Sequence, residues 1–385
     1  MSELIDSARV IALDRKTPLV EALDIGHNRW HPDIPPIAAI RVGEILAVDT
    51  RDGGDVQVTR HSDRQSDEQF DIDRIHPLTG PFAIQEAEPG DLLIVEILRI
   101  DADDFGWTGV FPGGGALTRD DVVDTLVVKW EIRDGVATSS QIPGIRIPST
   151  PFVGVIGVAP SIEHLRAIAS REEDAERRGA WVQLPSQSQA LPVTIGQVGL
   201  RTAPPREIGG NLDVKDLTAG SRILLPVEVP GALLSIGDIH FAQGDGESYA
   251  TAIEMCGRVY FRCEVQKSAD VHWRPKYPVI ETTKGSAVRD SRRYLMTMGL
   301  PIDATGRNHY LDFGISARAA LNEMTGYLMA VRGYSLTQAQ AIVAVAADLR
   351  MSIVTNAPNG LVSAALPLDI FESAAESGLP PFHEL

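Results

Sequence analysis

Along the first 130 residues apolar positions come in short runs broken by turn formers, a spacing that predicts strands rather than helices. Residues 42–50 and 56–60 flank Arg51-Asp52-Gly53-Gly54-Asp55, whose Asp-Gly step predicts a hairpin. Residues 91–100 follow the turn Glu88-Pro89-Gly90 and are apolar and β-branched enough for a strand. Residues 111–115, ending in Gly113-Gly114-Gly115, read as a loop. The pattern changes at 161–178, where Ser161 stands ready to cap an acidic, polar helix that stops at Gly179. Strands return over 222–229, 232–239 and 248–264. Two helices follow. Residues 316–332 carry Ala319, Ala320, Met324, Tyr327 and Leu328 on one stripe with Gly333 as a stop, and Ser335-Leu336-Thr337-Gln338 fits a capping box for a helix continuing over 339–349. The expected class is mainly β (α+β), with helices inserted and added late. The breaks at Pro204-Pro205 and Gly209-Gly210 suggest a β-rich part over 1–200 with one inserted helix. A second β-rich part over 201–385 bears the C-terminal helices, and the two pack as one compact unit.

Composition narrows the partners. Among 385 residues, 52 Asp and Glu face 35 Lys and Arg, a net charge of −17. Nucleic acid and anionic membrane surfaces are therefore not expected partners, since both need clustered cations. With 44% hydrophobic and 23% charged residues the chain can bury a sizeable core. Cys256 and Cys263 are the only cysteines, which predicts two reduced thiols. The start, Met1-Ser2-Glu3-Leu4-Ile5-Asp6, lacks the basic and apolar regions of a signal peptide, and no apolar run reaches the ~18 residues of a membrane span, so a cytoplasmic location is expected.

The densest polar clustering lies in Gly209-Gly210-Asn211-Leu212-Asp213 and in the stretch from Gly237 to Glu247. Asn211 with Asp213, Asp238 with His240, and Asp245 with Glu247 are each spaced i, i+2, which in extended backbone puts both side chains on one face. Such O and N donors without thiolate suit a divalent cation, zinc foremost, with calcium and manganese as alternatives. The plainer reading is a Gly-Asp-Gly β-turn and an exposed strand end. Glu254, among apolar neighbours, is a candidate general acid or base, or else an outward-facing carboxylate. His27-Asn28-Arg29-Trp30-His31-Pro32-Asp33 is a candidate substrate wall or a loop anchored by its Trp, and His76 sits in a Pro-flanked turn. No Gly-x-Ser-x-Gly elbow or phosphate-binding loop occurs, and Cys256 reads as a small buried hydrophobe.

These blocks resemble the acetamidase/formamidase family. The resemblance rests on Gly209 to Asp213, on Ala232-Leu233-Leu234-Ser235-Ile236-Gly237-Asp238-Ile239-His240, and on Gln243-Gly244-Asp245-Gly246-Glu247. It extends to His27 through Pro35, Gly80-Pro81, Glu86 through Asp91, His309-Tyr310-Leu311-Asp312 and Gly333-Tyr334-Ser335, and with Pro204-Pro205-Arg206-Glu207 it is closest to the formamidase branch. The resemblance implies a β-sandwich-like body with appended helices and a cytosolic homo-oligomer that hydrolyses a short amide to carboxylate and ammonia. It places the site around Asn211, Asp213, Asp238, His240, Asp245 and Glu247, with Glu254 close by; metal ligands are expected at Asp213, Asp238 and His240, catalytic carboxylates at Glu247, Glu254 and Asp245, and substrate contacts at Asn211, His27, Trp30 and His76. One departure stands out: the family usually has His before Gly-Gly-Asn, and this chain has Ile208. That departure motivates the alternatives of a non-catalytic small-molecule binding protein on the same scaffold, or a hydrolase of a larger or cyclic amide.

Overall fold

Two long antiparallel strands form the spine of the computed structural model, which describes residues 5, 7–63, 67, 69–111, 124–283 and 292–371. The strands used below are β1 (Ile45–Thr50), β2 (Leu78–Ile84), β3 (Leu92–Val110), β4 (Leu126–Arg133), β5 (Phe152–Gly157), β6 (Gly209–Asn211), β7 (Ser221–Pro226), β8 (Leu234–His240), β9 (Glu254–Gln266), β10 (Val279–Thr282), β11 (Tyr294–Gly299), β12 (Asp348–Ile353) and β13 (Leu361–Pro367). The helices are α1 (Ile162–Arg177), α2 (Phe313–Arg332) and α3 (Leu336–Ala346). The expected glycine run at 113–115 lies outside the described residues.

β3 and β9 pair from Leu92↔Gln266 to Trp107↔Glu254, with two register shifts that let the ribbon bend. β1 lies on the other side of β9, and β7 on the other side of β3. β7 continues through β10, β11 and β13 to the edge strand β12. β8 pairs with β5, β2 and the first residues of β9. Strands from both sides of residue 200 therefore share one hydrogen-bonded system. Residues 92–95 are all buried, as in a strand covered on both faces. The principal core joins Leu46, Phe82, Val95, Val153, Ile236 and Phe261, and a second cluster seats Met324, Tyr327 and Leu328 of α2 on Leu224, Leu295 and Leu366.

The helix signals behave as their chemistry requires. Ser161 Oγ accepts from the His164 amide at 3.2 Å, Gly333 closes α2 at φ +72°, and Ser335 and Gln338 form a capping box. α1 docks through Leu165, Ile168, Glu172 and Ala175, and its one fully buried charge, Glu172, meets Arg206 in a bidentate pair at 2.8 and 3.0 Å.

Three expectations are corrected. Residues 51–60 do not form the second half of a hairpin. Asp52 Oδ1 accepts from the Gly54 amide at 2.9 Å and Oδ2 from the Val56 amide at 3.1 Å, while Asp55 and Val56 take positive φ, which curls the segment into a turn and leaves β1 to pair with β9. α3 ends at Ala346 rather than 349, because Asp348 and Leu349 pair with Ala365 and Ala364 of β13. Residues 248–253 form a loop, and β9 starts only at Glu254.

Candidate active site

Adjacent strands bring the central donors together. β8 ends at His240, which stands directly opposite Glu254 at the start of β9. Asp238 precedes it by two residues. Asp213 follows β6, its amide donating to the Gly154 carbonyl of β5 at 3.2 Å. Glu247 comes from the 244–250 loop.

Around the imidazole, His240 Nε2 lies 3.2 Å from Glu254 Oε2, 3.4 Å from Asp238 Oδ1 and 4.0 Å from Glu247 Oε1, and Nδ1 lies 3.9 Å from Asp213 Oδ1. Asp213, His240 and Glu247 form one group able to hold a metal ion, and Asp238, His240 and Glu254 another, with the ligand atoms of each group within 4.8 Å of one another. All five side chains are buried. His76 borders them, its Nε2 being 3.9 Å from Asp238 Oδ2.

Orientation comes from neighbours that carry no charge. Gln243 donates through Nε2 to the Asp213 carbonyl at 2.9 Å, so its Oε1 faces His240 Nδ1, also at 2.9 Å. Placing the ring proton on Nδ1 turns the Nε2 lone pair toward the carboxylates. Phe152 stands edge-on to the ring at 5.0 Å. Ala252 N donates to Glu254 Oε1 at 2.9 Å, leaving Oε2 aimed inward. Asn356 Nδ2 donates to Asp213 Oδ2 at 2.7 Å.

Two glycines make the space. A Cβ at Gly53 would sit 2.2 Å from Asp238 Oδ1 and 3.1 Å from Glu254 Oε2, and one at Gly154 would sit 2.6 Å from Asp213 Oδ1. Backbone strain also concentrates here. Asp213, Asp238 and Glu247 all adopt left-handed φ, at +47°, +53° and +46°, a conformation that costs about 1–3 kcal/mol each and persists only where surroundings enforce it.

Such a group is electrostatically incomplete. Asp213 Oδ1, Asp238 Oδ1, His240 Nε2 and Glu254 Oε2 are buried without a hydrogen-bond partner, as is the nearby Asn211 Oδ1. Among the described residues no Lys or Arg forms an ion pair with the four carboxylates. Burial pushes Asp213 up to about 8 and Glu254 up to about 7, and drives Glu247 well above the carboxylate range. Asp238 goes the other way: burial would raise it, but His240 and His76 hold it below its ordinary value. Burial would likewise lower His240, yet Glu254 and Asp238 keep it well above the usual histidine value. Four buried carboxylates around one imidazole are the donor set of a divalent cation, which would supply the missing positive charge.

The remaining sequence candidates lie elsewhere or play other parts. Asp245 is not brought into the group; its half-exposed carboxylate is 3.3 Å from Lys215 Nζ and is gripped by Arg350. His27 uses both ring nitrogens, on the Arg29 carbonyl and Ser235 Oγ, each at 2.7 Å, and burial lowers its pKa to about 4. Trp30 packs in the principal core, as does Ile208, at the position where the family usually has His. Cys256 and Cys263 are free, and burial raises the Cys256 thiol further. A cavity of 220 Å³, lined in part by Asp52, Val56, Trp107, Met255 and Cys256, reaches Glu254. Gln243, Gly53, Gly154 and Asn356 were not among the expected site residues. Gln243 is three residues from His240 inside the quoted block, whereas Asn356, 143 residues from Asp213, has no local signal at all.

The model of the Acetamidase/Formamidase family matches residues 12–373. A formamidase of Methylophilus methylotrophus is 34% identical over 367 residues, covering 90% of this chain and 89% of that protein. An acetamidase of Mycolicibacterium smegmatis is 33% identical over 363 residues, covering 87% and 88%. The solved structure of a gamma lactamase from Delftia acidovorans superposes with a TM-score of 0.69 at 32% identity, covering 95% of this chain and 94% of that one. The chain belongs to the acetamidase/formamidase family.

Proposed function

We propose that this protein hydrolyses short aliphatic amides, of the formamide or acetamide kind, to carboxylate and ammonia at the His240 centre. The observation that carries the reading is the convergence of Asp213 Oδ1, Asp238 Oδ1, His240 Nε2 and Glu254 Oε2, buried and unpaired. Kinship with proteins named formamidase and acetamidase supports the substrate class.

His240, Asp213, Asp238 and Glu247 would hold a divalent cation, zinc foremost, which when bound supplies positive charge for a developing oxyanion and for water activation. Glu254 has one oxygen fixed by the Ala252 amide and the other free, so it is placed to accept a proton from water and return it to the departing nitrogen. Glu247, with Oε1 4.0 Å from His240 Nε2, adds a second buried carboxylate. Asp245 has no part in the chemistry in this reading. The two free thiols suit a cytosolic setting.

The test is ammonia release from formamide and acetamide by the purified chain and by His240→Ala. Activity in the parent, lost in a folded variant, is expected; full retention in His240→Ala overturns the assignment. A second reading, hydrolysis of a cyclic amide, is favoured by the likeness to the gamma lactamase and by the 220 Å³ cavity at Glu254. An engineered cavity of about 150 Å³ already takes a benzene ring. Including γ-butyrolactam in the substrate panel separates the two.

A further inference from the structure

Glu247 is the one buried carboxylate on a largely exposed stretch: Gly244 and Asp245 before it, and Ser248, Tyr249 and Ala250 after it, all face solvent, and only Gly246 is buried beside it. Its φ of +46° is unfavourable for a long side chain, and Ala250 beyond it is also left-handed at +66°. Local hydrogen bonds are few, from the Glu247 amide to the Gly244 carbonyl at 3.2 Å and from the Ala250 amide to the Glu247 carbonyl at 2.8 Å. Something outside the loop must hold Glu247 inward.

That support comes from β12, the edge strand, more than a hundred residues later. The Gly246 amide donates to the Ser352 carbonyl at 3.2 Å, and the Val354 amide donates to the Gly246 carbonyl at 3.1 Å, so the loop is stitched to the end of the strand. Arg350, on the same strand, grips Asp245 through Nε at 3.2 Å and through a second guanidinium nitrogen. Its third nitrogen donates to Asp216 Oδ2 at 2.5 Å. Asp216 is fully buried and lies three residues past Asp213, and Lys215 between them reaches Asp245 at 3.3 Å. Asn356 completes the contact by donating to Asp213 Oδ2. One guanidinium thus joins the turn that carries Asp213 to the loop that carries Glu247, and a planar fork of five donors is the group that can bridge two carboxylates at fixed spacing.

We propose that Arg350 is a positioning residue that, through Asp216 and Asp245, sets the separation of Asp213 and Glu247 and so the cation affinity of the centre. This rests on the metal-centre reading above. Asp245 then belongs to the support of the site, two residues from the carboxylate it orients. Supporting groups of this kind typically change metal affinity or activity by about 10- to 100-fold.

The experiment uses the full chain, with zinc affinity measured by competition against a chromogenic chelator, kcat and KM measured on formamide, and thermal unfolding as the control for folding. Arg350→Ala is expected to weaken zinc binding by about 10- to 100-fold and to lower kcat more than it raises KM, with Arg350→Lys recovering part of the loss. Asp245→Asn is expected to weaken zinc in the same direction, and the double variant with Arg350→Ala to be less impaired than the two single losses multiplied, because both remove one bridge. If Arg350→Ala does not fold, Asp245→Asn, on the exposed loop, decides alone. Zinc affinity and kcat within about 2-fold of the parent in folded variants, or strictly multiplicative losses, overturn the proposal. A parent chain that takes up no zinc and releases no ammonia overturns the metal-centre reading itself, whereas a zinc-loaded, active parent with unchanged Arg350 and Asp245 variants overturns the bridge alone.

Discussion

His240 and Glu254 face each other across neighbouring strands, with Nε2 and Oε2 3.2 Å apart and neither atom satisfied by a hydrogen bond of good geometry. The register of β8 against β9 places both groups, so the pair is fixed by backbone pairing rather than by side-chain choice. Glu254→Gln preserves size and the Ala252 contact but removes the proton acceptor. The expected outcome is a fall in kcat of about 10²- to 10⁴-fold at nearly unchanged zinc content, read from steady-state kinetics beside metal analysis. A kcat within a factor of about three of the parent would show that Glu254 does not carry the proton.

Gly53 and Gly154 leave room where any side chain would press on a carboxylate. Gly154→Ala puts a methyl group 2.6 Å from Asp213 Oδ1 and should lower zinc affinity at least about 10-fold, with the melting temperature also reduced. Gly53→Ala, at 2.2 Å from Asp238 Oδ1, should do the same. Gly306, where an added Cβ would meet nothing within 4 Å but the backbone sits at φ +83°, offers a control that strains backbone without touching the centre. Equal kinetic losses in all three would point to general destabilisation instead.

Removing the cation should cost stability as well as activity. The four carboxylates have no Lys or Arg partner among the described residues and share one imidazole, so the metal-free chain must leave charge uncompensated or take up protons. A ligand at about 100 times its Kd stabilises by about 2.7 kcal/mol. Dialysis against chelator should therefore lower the melting temperature, and adding back zinc should restore it; an unchanged transition would mean that nothing binds there tightly.

Acid sensitivity should arise away from the centre, where α1 docks. Arg171 grips Glu207 at 2.6 and 2.5 Å, and although burial opposes ionisation, Arg171 and His164 hold Glu207 down at about 2 against an ordinary 4.5. A depressed carboxylate stabilises the fold above its unfolded value, and that contribution, about 3 kcal/mol, drains away as pH falls from about 5 to 2. His164 has the opposite sign. Burial would lower it, but Glu228 at 2.7 Å and Glu207 raise it, so its contribution is full below about 6.5 and is lost as pH rises through the folded value. Glu207→Gln should flatten the acid limb of a denaturation-versus-pH curve; an unaltered limb would exclude this pair as its source.

The i, i+2 spacing pointed to Asp213, Asp238, His240 and Glu247, which the structure brings together, by a partly wrong route. It assumes extended backbone, and Asp238 does reach His240, yet Asp213, Asp238 and Glu247 all leave the extended region for positive φ. The same departure separates Asp245 from Glu247, sending one to Arg350 and the other to His240. Helix ends were readable because a cap is a local arrangement between one side chain and one or two amides, as at Ser161 and Ser335. The turn at 51–60 was not, because the Asp52 carboxylate competes with strand pairing and Gly53 is shaped by residues nearly two hundred positions away. Arg350 and Asn356 carried no local pattern, since their partners are set by tertiary pairing alone.

The dependence of Asp213 on Asn356 has a temporal side. When a ribosome has delivered everything through β9, all five ligand-type side chains already exist, but the strand that braces two of them has not yet been made. A growing chain can gather the carboxylates early and still lack the geometry to select one ion over another. In the metal-centre reading, discrimination among ions is completed only when residues 350–356 emerge and dock, so a later segment decides what an earlier one retains.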